Sequence, residues 1–429
     1  MSTRKPASST GAFAVLLLLV VGAQAAEDRV PRLAFICTIF RPDSHADVIG
    51  TKFFLGFPTD RELVPPRVKI VSMYMDQDHR KNVGKVLAER CGATIYPTIR
   101  DALTLGGKEL AVDGVIYVGE HGNYPRSRLG VKMYPHLLHM AQIFRVYDEA
   151  GRSVPTFCDK QLAYSWLDSK WIHDRANELK VPLMAGSSLP LAWRNPSLEH
   201  PLGTPLTEAV AVGHGSLDSY GFHVLEMLQC MVERRKGGET GVAAVRGLKG
   251  AAVYEAARNG AFSAALVEAA CGTVSEKKNG RVQDHEPEPV AVVIEYCDGT
   301  RGVAMQAQRY IGSHWGYAAR TEGKTEACEF ILGDRPAFPH FSYLGLNIQE
   351  LMLTGKAPAP VERTLLTSGV LDAAVRSLHA GGKRIETPHL KIAYQPPEKA
   401  PIRPEGLAPE GASLGPWPPE GTGFQIPKR

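Results

Sequence analysis

The stretch VPTFCDKQLAYSWLDSKWIHDRANEL, Val154 to Leu179, decides the fold. Its opening run, Val154 to Cys158, is short, apolar and bounded, the pattern of a buried strand. The run breaks at Asp159–Lys160, and a helix follows. Ser165 is placed to cap that helix, with Asp168 three residues on, close to a capping box. Leu167, Trp171, Ile172, Ala176 and Leu179 recur at helical spacing, which predicts one buried face. Strand, turn and helix together put Lys160 at the carboxyl end of a strand, on the edge where doubly wound sheets bind ligands. A lysine there anchors a ligand or moves a proton. The plainer alternative is a solvated loop lysine.

Working outward toward the amino end, RLAFIC (residues 32–37) reads as the first strand. A dinucleotide-binding domain continues from such a strand into a glycine-rich turn, because a pyrophosphate must approach the backbone closely at a helix start. Here TIFRPDSHADVIG follows, with Pro42 in the middle and no glycine before Gly50. The phosphate-cradling signal is absent. VKIVSMYMDQDHRK then gives a second strand ending at Asp76, where an acid would hold a ribose hydroxyl or, more simply, cap the next helix. DGVIYV (residues 113–118) is a further buried strand, and the turn GEHGNYP after it sets Glu120, His121 and Asn123 at the same sheet edge. His136 and His139 lie three apart on the following helix. A metal there needs a third ligand that the spacing does not name, and no metal is expected. VPLMAGS (residues 181–187) supplies another strand. Repeated strand–helix alternation from 32 to 186 predicts a parallel sheet covered on both faces.

Beyond residue 189 the texture changes. A proline-broken passage leads to the strand TEAVAVG and then to GHGSLDSYGFHVLEMLQCMVERRKGG, which runs into a helix. VAVVIEYCDGTRGVAMQAQRYI carries Asp298-Gly299, a strong hairpin turn. Helical patterns over 344–354 and 364–380 close a second, mixed and largely antiparallel α/β domain. Nine prolines between Pro396 and Pro427 mark a tail that builds no core of its own and is expected to be extended. The expected division is thus 26–188, 189–395 and a Pro-rich tail over 396–429.

At 429 residues the chain has length for two cored domains. Its start is a separate matter. Arg4 and Lys5 precede an apolar run from Ala12 to Val21, and Ala23-Gln24-Ala25 is a small-x-small cleavage site, so residues 1–25 read as a secretory signal peptide. Its core is too short for a permanent span. Export to the periplasm or beyond is expected, with no membrane attachment afterwards. Removing Arg4 and Lys5 takes the formal charge from +4 to about +2, and no basic block with interleaved aromatics remains to suggest nucleic acid. The seven cysteines are scattered, odd in number and without a CxxC, which indicates neither a disulfide framework nor a zinc ribbon and leaves room for one bridged pair in an oxidising compartment.

Order and spacing over residues 32–395 resemble the Gfo/Idh/MocA family of oxidoreductases. The carrying segments are the strand ending at Asp76 with QDHRK after it, VDGVIYVG, the Val154–Leu179 stretch with VPLMAGS, GFHVLEML, VIEYCDGTRGV and the closing NIQELMLTGKAPAP and TSGVLDAAVRSLHAGG. The resemblance implies a Rossmann-like domain followed by an α/β domain with an open sheet that often pairs two copies. It also implies NAD- or NADP-linked oxidation or reduction of a sugar, cyclitol or related polyol. Carried over residue by residue, Lys160 matches the family's motif lysine, although Asp159-Lys160-Gln161 replaces Glu-Lys-Pro. His223 matches its catalytic histidine. The aspartate expected four residues earlier is Ser219 here, with Asp218 one place off and Tyr220 a further candidate. Asp76, Glu120, His121, Asp159 and Lys160 are expected on the cofactor side.

Such a site is chemically coherent. A base of near-neutral pKa takes the hydroxyl proton as hydride leaves, which suits His223, and Lys160 steadies charge on oxygen. His223 as a helix-start residue satisfied by backbone is the bland alternative. The missing glycines and the export signal together require a cofactor carried tightly bound, or one lost altogether. Two other readings therefore stand beside the oxidoreductase: a carbohydrate-binding or scaffold protein that keeps the fold without cofactor, and a cofactor-assisted glycoside-cleaving enzyme.

Overall fold

The structure is a computed structural model and describes residues 29–333, 338–399 and 401–408, with 1, 417 and 418. The expected signal peptide, apart from Met1, and much of the Pro-rich tail lie outside the described residues.

Six strands form the first sheet: β1 (Arg32–Ile39), β2 (Lys69–Gln77), β3 (Thr94–Ile95), β4 (Gly114–Val118), β5 (Thr156–Asp159) and β6 (Leu183–Gly186). They lie in the order β3-β2-β1-β4-β5-β6, all parallel. The order reverses between β1 and β4, which opens a crevice at their carboxyl ends. β4 is buried at every position and β1 at all but its first, as strands covered on both faces must be. Helices α1 (His45–Leu55), α2 (Val83–Cys91), α3 (Ile99–Thr104), α4 (His136–Ala150) and α5 (Trp166–Glu178) provide the cover.

Ser165 caps α5 by accepting from the Asp168 amide, as its sequence suggests. The buried stripe of α5 differs from the expected one. Ile172 and Ala176 are buried, but Leu167 is 75% exposed and Trp171 41%. Trp171 lies against Phe144 of α4 with ring centroids 6.3 Å apart, so it covers a helix seam from outside.

The second sheet holds β7 (Trp193–Asn195), β8 (Leu206–Gly213), β9 (Val242–Lys249), β10 (Val290–Tyr296), β11 (Arg301–Gln306), β12 (Gly316–Thr321), β13 (Lys324–Ile331) and β14 (Ile385–Glu386). Their order is β14-β9-β10-β11-β8-β12-β13-β7, antiparallel throughout except for β8 beside β11. Asp298-Gly299 turns β10 into β11, with Gly299 at φ +87° and the Thr300 amide bonded to Asp298. One face packs on α6 (Phe222–Val232) and on α10 (Glu362–His379). The opposite face is covered by α7 (Ala251–Arg258) and α8 (Ala264–Gly272), which lie in the connection between β9 and β10.

The two halves share material. Helix α9 (Pro339–Thr354) leaves the second sheet and packs Leu344, Ile348 and Leu351 into the core beneath β1. The described tail is also fastened to the body: Ile402 exchanges hydrogen bonds with Asn347 of α9, and Arg403 pairs with Glu199 at 2.7 Å. All seven cysteines are free.

Candidate active site

The end of β5 delivers two charged residues into the interior. Asp159 is 1% exposed and Lys160 only 4%. The expected lysine head in an open crevice is not what the chain builds. Lys160 sits at φ +62°, a left-handed conformation that costs a side-chain-bearing residue about 1–2 kcal/mol. That backbone turns Nζ inward, where it donates to Glu120 Oε2 and to the Ser219 carbonyl, each at 3.1 Å. Burial alone would raise the Glu120 carboxyl; the Lys160 ammonium, with His136, outweighs it and holds the group ionised, well below the usual carboxylate range. Lys160 thus ties the first domain to the turn of the second.

Glu120 reaches that place because Gly119 precedes it. A Cβ at Gly119 would stand 2.4 Å from the Tyr117 hydroxyl and 2.7 Å from His136 Nε2. His136 and His139 do share a helix face, as their spacing suggests, but they pack edge-on against Tyr117, with centroids 5.3 and 5.7 Å away. Among the described residues no group of three or more histidine, cysteine or acidic side chains is arranged to hold a metal.

His223 stands at the start of α6, directly after a π-helical turn over Leu217–Gly221. Its Nδ1 is 2.6 Å from Ser187 Oγ. Burial first, then the charges of Lys160 and His45, keep it well below the ordinary imidazole value. Its ring is therefore fixed in place by burial and by the Ser187 hydroxyl. The π-helical turn sends its neighbours to opposite sides. Tyr220 faces the cleft, while Asp218 turns away to pair with Arg126 at 2.7 Å and to accept from the Lys132 amide at 3.2 Å.

The cleft between the two sheets has a volume of about 820 Å³ and is rich in imidazoles. His45, His121, His214 and His223 all line it, with Tyr220 and Trp315. Sequence reasoning did not single out His45. It heads α1, and its Nδ1 is 2.6 Å from Asp159 Oδ2, across 114 residues of chain. His121, also at positive φ (+69°), is held down to about 3 by burial, then by His45. Its ring lies 5.3 Å from that of His45 and its Nδ1 is 3.4 Å from Arg41.

Asp76 lies apart from this group. Its two oxygens accept from the Tyr74 and Tyr124 hydroxyls at 3.0 and 2.5 Å. A carboxylate has about four acceptor positions, so capacity for ribose hydroxyls remains. The glycine-free turn differs from a phosphate cradle in the way its sequence suggests: Phe40 is fully buried there, the Ser44 hydroxyl accepts from the Asp47 amide of α1, and the Asp47 carboxylate accepts from the Asp43 amide of the turn. What the turn does offer an anion is the half-buried Arg41 guanidinium. The residues present therefore fit a dinucleotide through side chains, with Asp76 at one end, Arg41 between, and Lys160 and His223 at the other.

No protein-family model and no curated protein matches the chain. Solved structures do. GenD2 from gentamicin A biosynthesis, in complex with NAD, is 16% identical with a TM-score of 0.53, over 84% of this chain and 97% of that one. Apo scyllo-inositol dehydrogenase from Lactobacillus casei is 8% identical at 0.51, over 83% and 98%. A putative myo-inositol dehydrogenase from Sinorhizobium meliloti 1021 is 12% identical at 0.50, over 83% and 99%. At such identities the likeness is one of fold, and this chain shares the fold of those three structures.

Proposed function

We infer that the protein is an exported dehydrogenase-type oxidoreductase acting on a sugar, cyclitol or related polyol, with NAD or NADP as the hydride acceptor. The observation that carries this is that His45 and His223, from separate elements, line one large cleft, with the buried Lys160–Glu120 ion pair acting on His223 from behind it. The two inositol dehydrogenases that share the fold support the reaction class and a polyol substrate, and the NAD bound to GenD2 supports the cofactor.

In this reading Asp76 takes the ribose hydroxyls and Arg41 the diphosphate, and the bound dinucleotide supplies hydride acceptance. The chain does the rest. Lys160, fixed by Glu120 and the Ser219 carbonyl, holds positive charge behind the cleft wall, where its field favours negative charge on the reacting oxygen. His223, neutral and held by Ser187, positions the same hydroxyl by hydrogen bonding. Tyr220 and Trp315 wall the cleft with aromatic faces suited to sugar rings. The cleft between the two sheets holds the reactants together.

The glycine-free turn favours a second reading, a carbohydrate-binding protein that keeps the fold without cofactor. One experiment separates the two. Mature protein, residues 26–429, is purified from its native compartment and denatured, and the released nucleotide is measured by mass and absorbance. About one nicotinamide nucleotide per chain is expected. Protein that is empty and that also fails to bind added NAD and NADP would transfer the lead to the binding protein.

A further inference from the structure

We propose that His45, oriented by Asp159, is the catalytic base of the cleft, a deepening that rests on the oxidoreductase reading above. Asp159 is a carboxylate with 1% side-chain exposure, and it faces the His45 ring at 2.6 Å. A buried carboxylate accepts, so Nδ1 is the protonated nitrogen and Nε2 carries the free lone pair. The His45 side chain keeps 15% exposure and lines the cleft, and among the described residues Nε2 has no hydrogen bond. This is the carboxylate–imidazole logic by which a buried acid fixes a tautomer and offsets the charge of the imidazolium formed.

The other cleft imidazoles are placed differently. His223 gives Nδ1 to a serine hydroxyl, and His340 gives Nδ1 to the Leu332 carbonyl at 2.8 Å. His314 has both nitrogens beside carboxylates, Glu329 at 2.9 Å and Glu276 at 3.4 Å. His121 and His214 have no carboxylate partner among the described residues. His45 alone combines a deeply buried acid on one nitrogen with an open second nitrogen. Its ring centroid lies 6.1 Å from that of His223 and 5.3 Å from that of His121, so it stands in the middle of the cluster.

The step is a proton transfer. The substrate O–H bond breaks and its proton forms an N–H bond at Nε2. The electron pair left on oxygen becomes the second bond of the carbonyl, while the adjacent C–H pair departs as hydride to the nicotinamide acceptor. Asp159 remains ionised and balances the imidazolium. Asp159 is a positioning residue, because it acts only through His45.

The test begins with the mature chain and diethyl pyrocarbonate, which acylates unprotonated imidazole nitrogens, followed by peptide mapping. His45 is expected to react faster than His121, His214, His223 and His340. Asp159→Asn is expected to slow it about tenfold or more, and Asp159→Glu to restore most of the rate. Nitrogen-15 spectra of the wild-type protein, with His45 assigned through His45→Gln, test the tautomer without any destabilising variant: an Nδ1–H signal is expected. An Nε2–H tautomer, or a His45 acylation rate no higher than its neighbours', overturns the base assignment and leaves the oxidoreductase reading intact. With whichever polyol the wild type oxidises, His45→Gln should lower kcat about 100-fold or more and leave KM nearly unchanged. A protein that never carries or binds nucleotide overturns the reading, and the catalytic role with it.

Discussion

Two turns meet at the edge of the first sheet, one after β1 and one after β5, and they are built on opposite plans. The turn after β1 has given up the open backbone that its fold usually spends on a phosphate. Phe40 fills the space, Ser44 accepts from the Asp47 amide and Asp47 from the Asp43 amide, and Arg41 is the cation on offer. The turn after β5 keeps its lysine and forces it, at positive φ, into a buried ion pair. The first turn is filled and hydrogen-bonded by its own side chains; the second buries a charged side chain against Glu120. They touch through His45 and Asp159. A fold can therefore lose the motif by which it is recognised and still bring titratable groups to the same place.

The largest expected effect tests the second turn. Lys160→Ala leaves Glu120 ionised in the interior without its partner, and breaking a buried pair in this way costs about 3–5 kcal/mol. Activity should vanish, but so should much of the stability, read from denaturant unfolding. Replacing both partners, Lys160→Met with Glu120→Gln, should recover most of the loss while turnover stays absent. A Lys160→Ala protein as stable as wild type would mean that the lysine is solvated, as its sequence context first suggests.

Much of this architecture is legible in the sequence, and the rest is not for a definite reason. The strand–helix alternation, the Asp298-Gly299 turn and the Ser165 cap are local, and local patterns carry them. Lys160 and His223 are legible as positions, because each follows a recognisable break. Their environments depend on contacts across 40 and 36 residues, with Glu120 and Ser187, which spacing does not encode. His45 was invisible for the same cause. A histidine after a broken turn acquires meaning only through Asp159, 114 residues away. The stripe on α5 failed differently: helical periodicity finds a face, but Leu167 and Trp171 extend that face past the edge of the core.

Acid should act next, and mainly around the first turn. Burial is the leading cause that holds His121 and His340 at about 3 and His214 at about 4. Each folded value lies below the ordinary 6.5, so the unfolded chain takes up protons first. These groups contribute full stability above about pH 6.5, lose it as pH falls toward 4, and contribute nothing further below their folded values. Up to about 3 kcal/mol per imidazole, and up to about 10 kcal/mol for the three together, is expected to be lost between pH 6.5 and 4, measured by unfolding at each pH. His121→Asn with His340→Asn should flatten that segment. An unchanged slope would show that these imidazoles are hydrated and that the cleft is wetter than its walls suggest.

A smaller effect concerns binding at the first turn. If Arg41 stands in for a glycine cradle, Arg41→Gln removes one charge-assisted contact, about 1.5–3 kcal/mol, or roughly 10–100-fold in dinucleotide affinity. Adenosine alone should lose nothing. Equal loss for both would place the guanidinium in a structural role, through its contact with His121.

The smallest contrast compares the two caps directly. Ser44 is fully buried; its hydroxyl donates to the Arg41 carbonyl at 2.7 Å and accepts from the Asp47 amide at 3.3 Å. Ser165 is partly exposed and accepts from the Asp168 amide at 3.3 Å. Removing a cap costs about 0.5–2 kcal/mol, with the upper end where buried partners are left without water. Ser44→Ala should therefore cost about 2 kcal/mol and Ser165→Ala about 1, each read from denaturant midpoints at constant slope. If the order were reversed, the turn after β1 would be held by its buried Phe40 and by packing, with its side-chain hydrogen bonds secondary. The contrast that separates the two turns would then be a matter of shape, not of polarity.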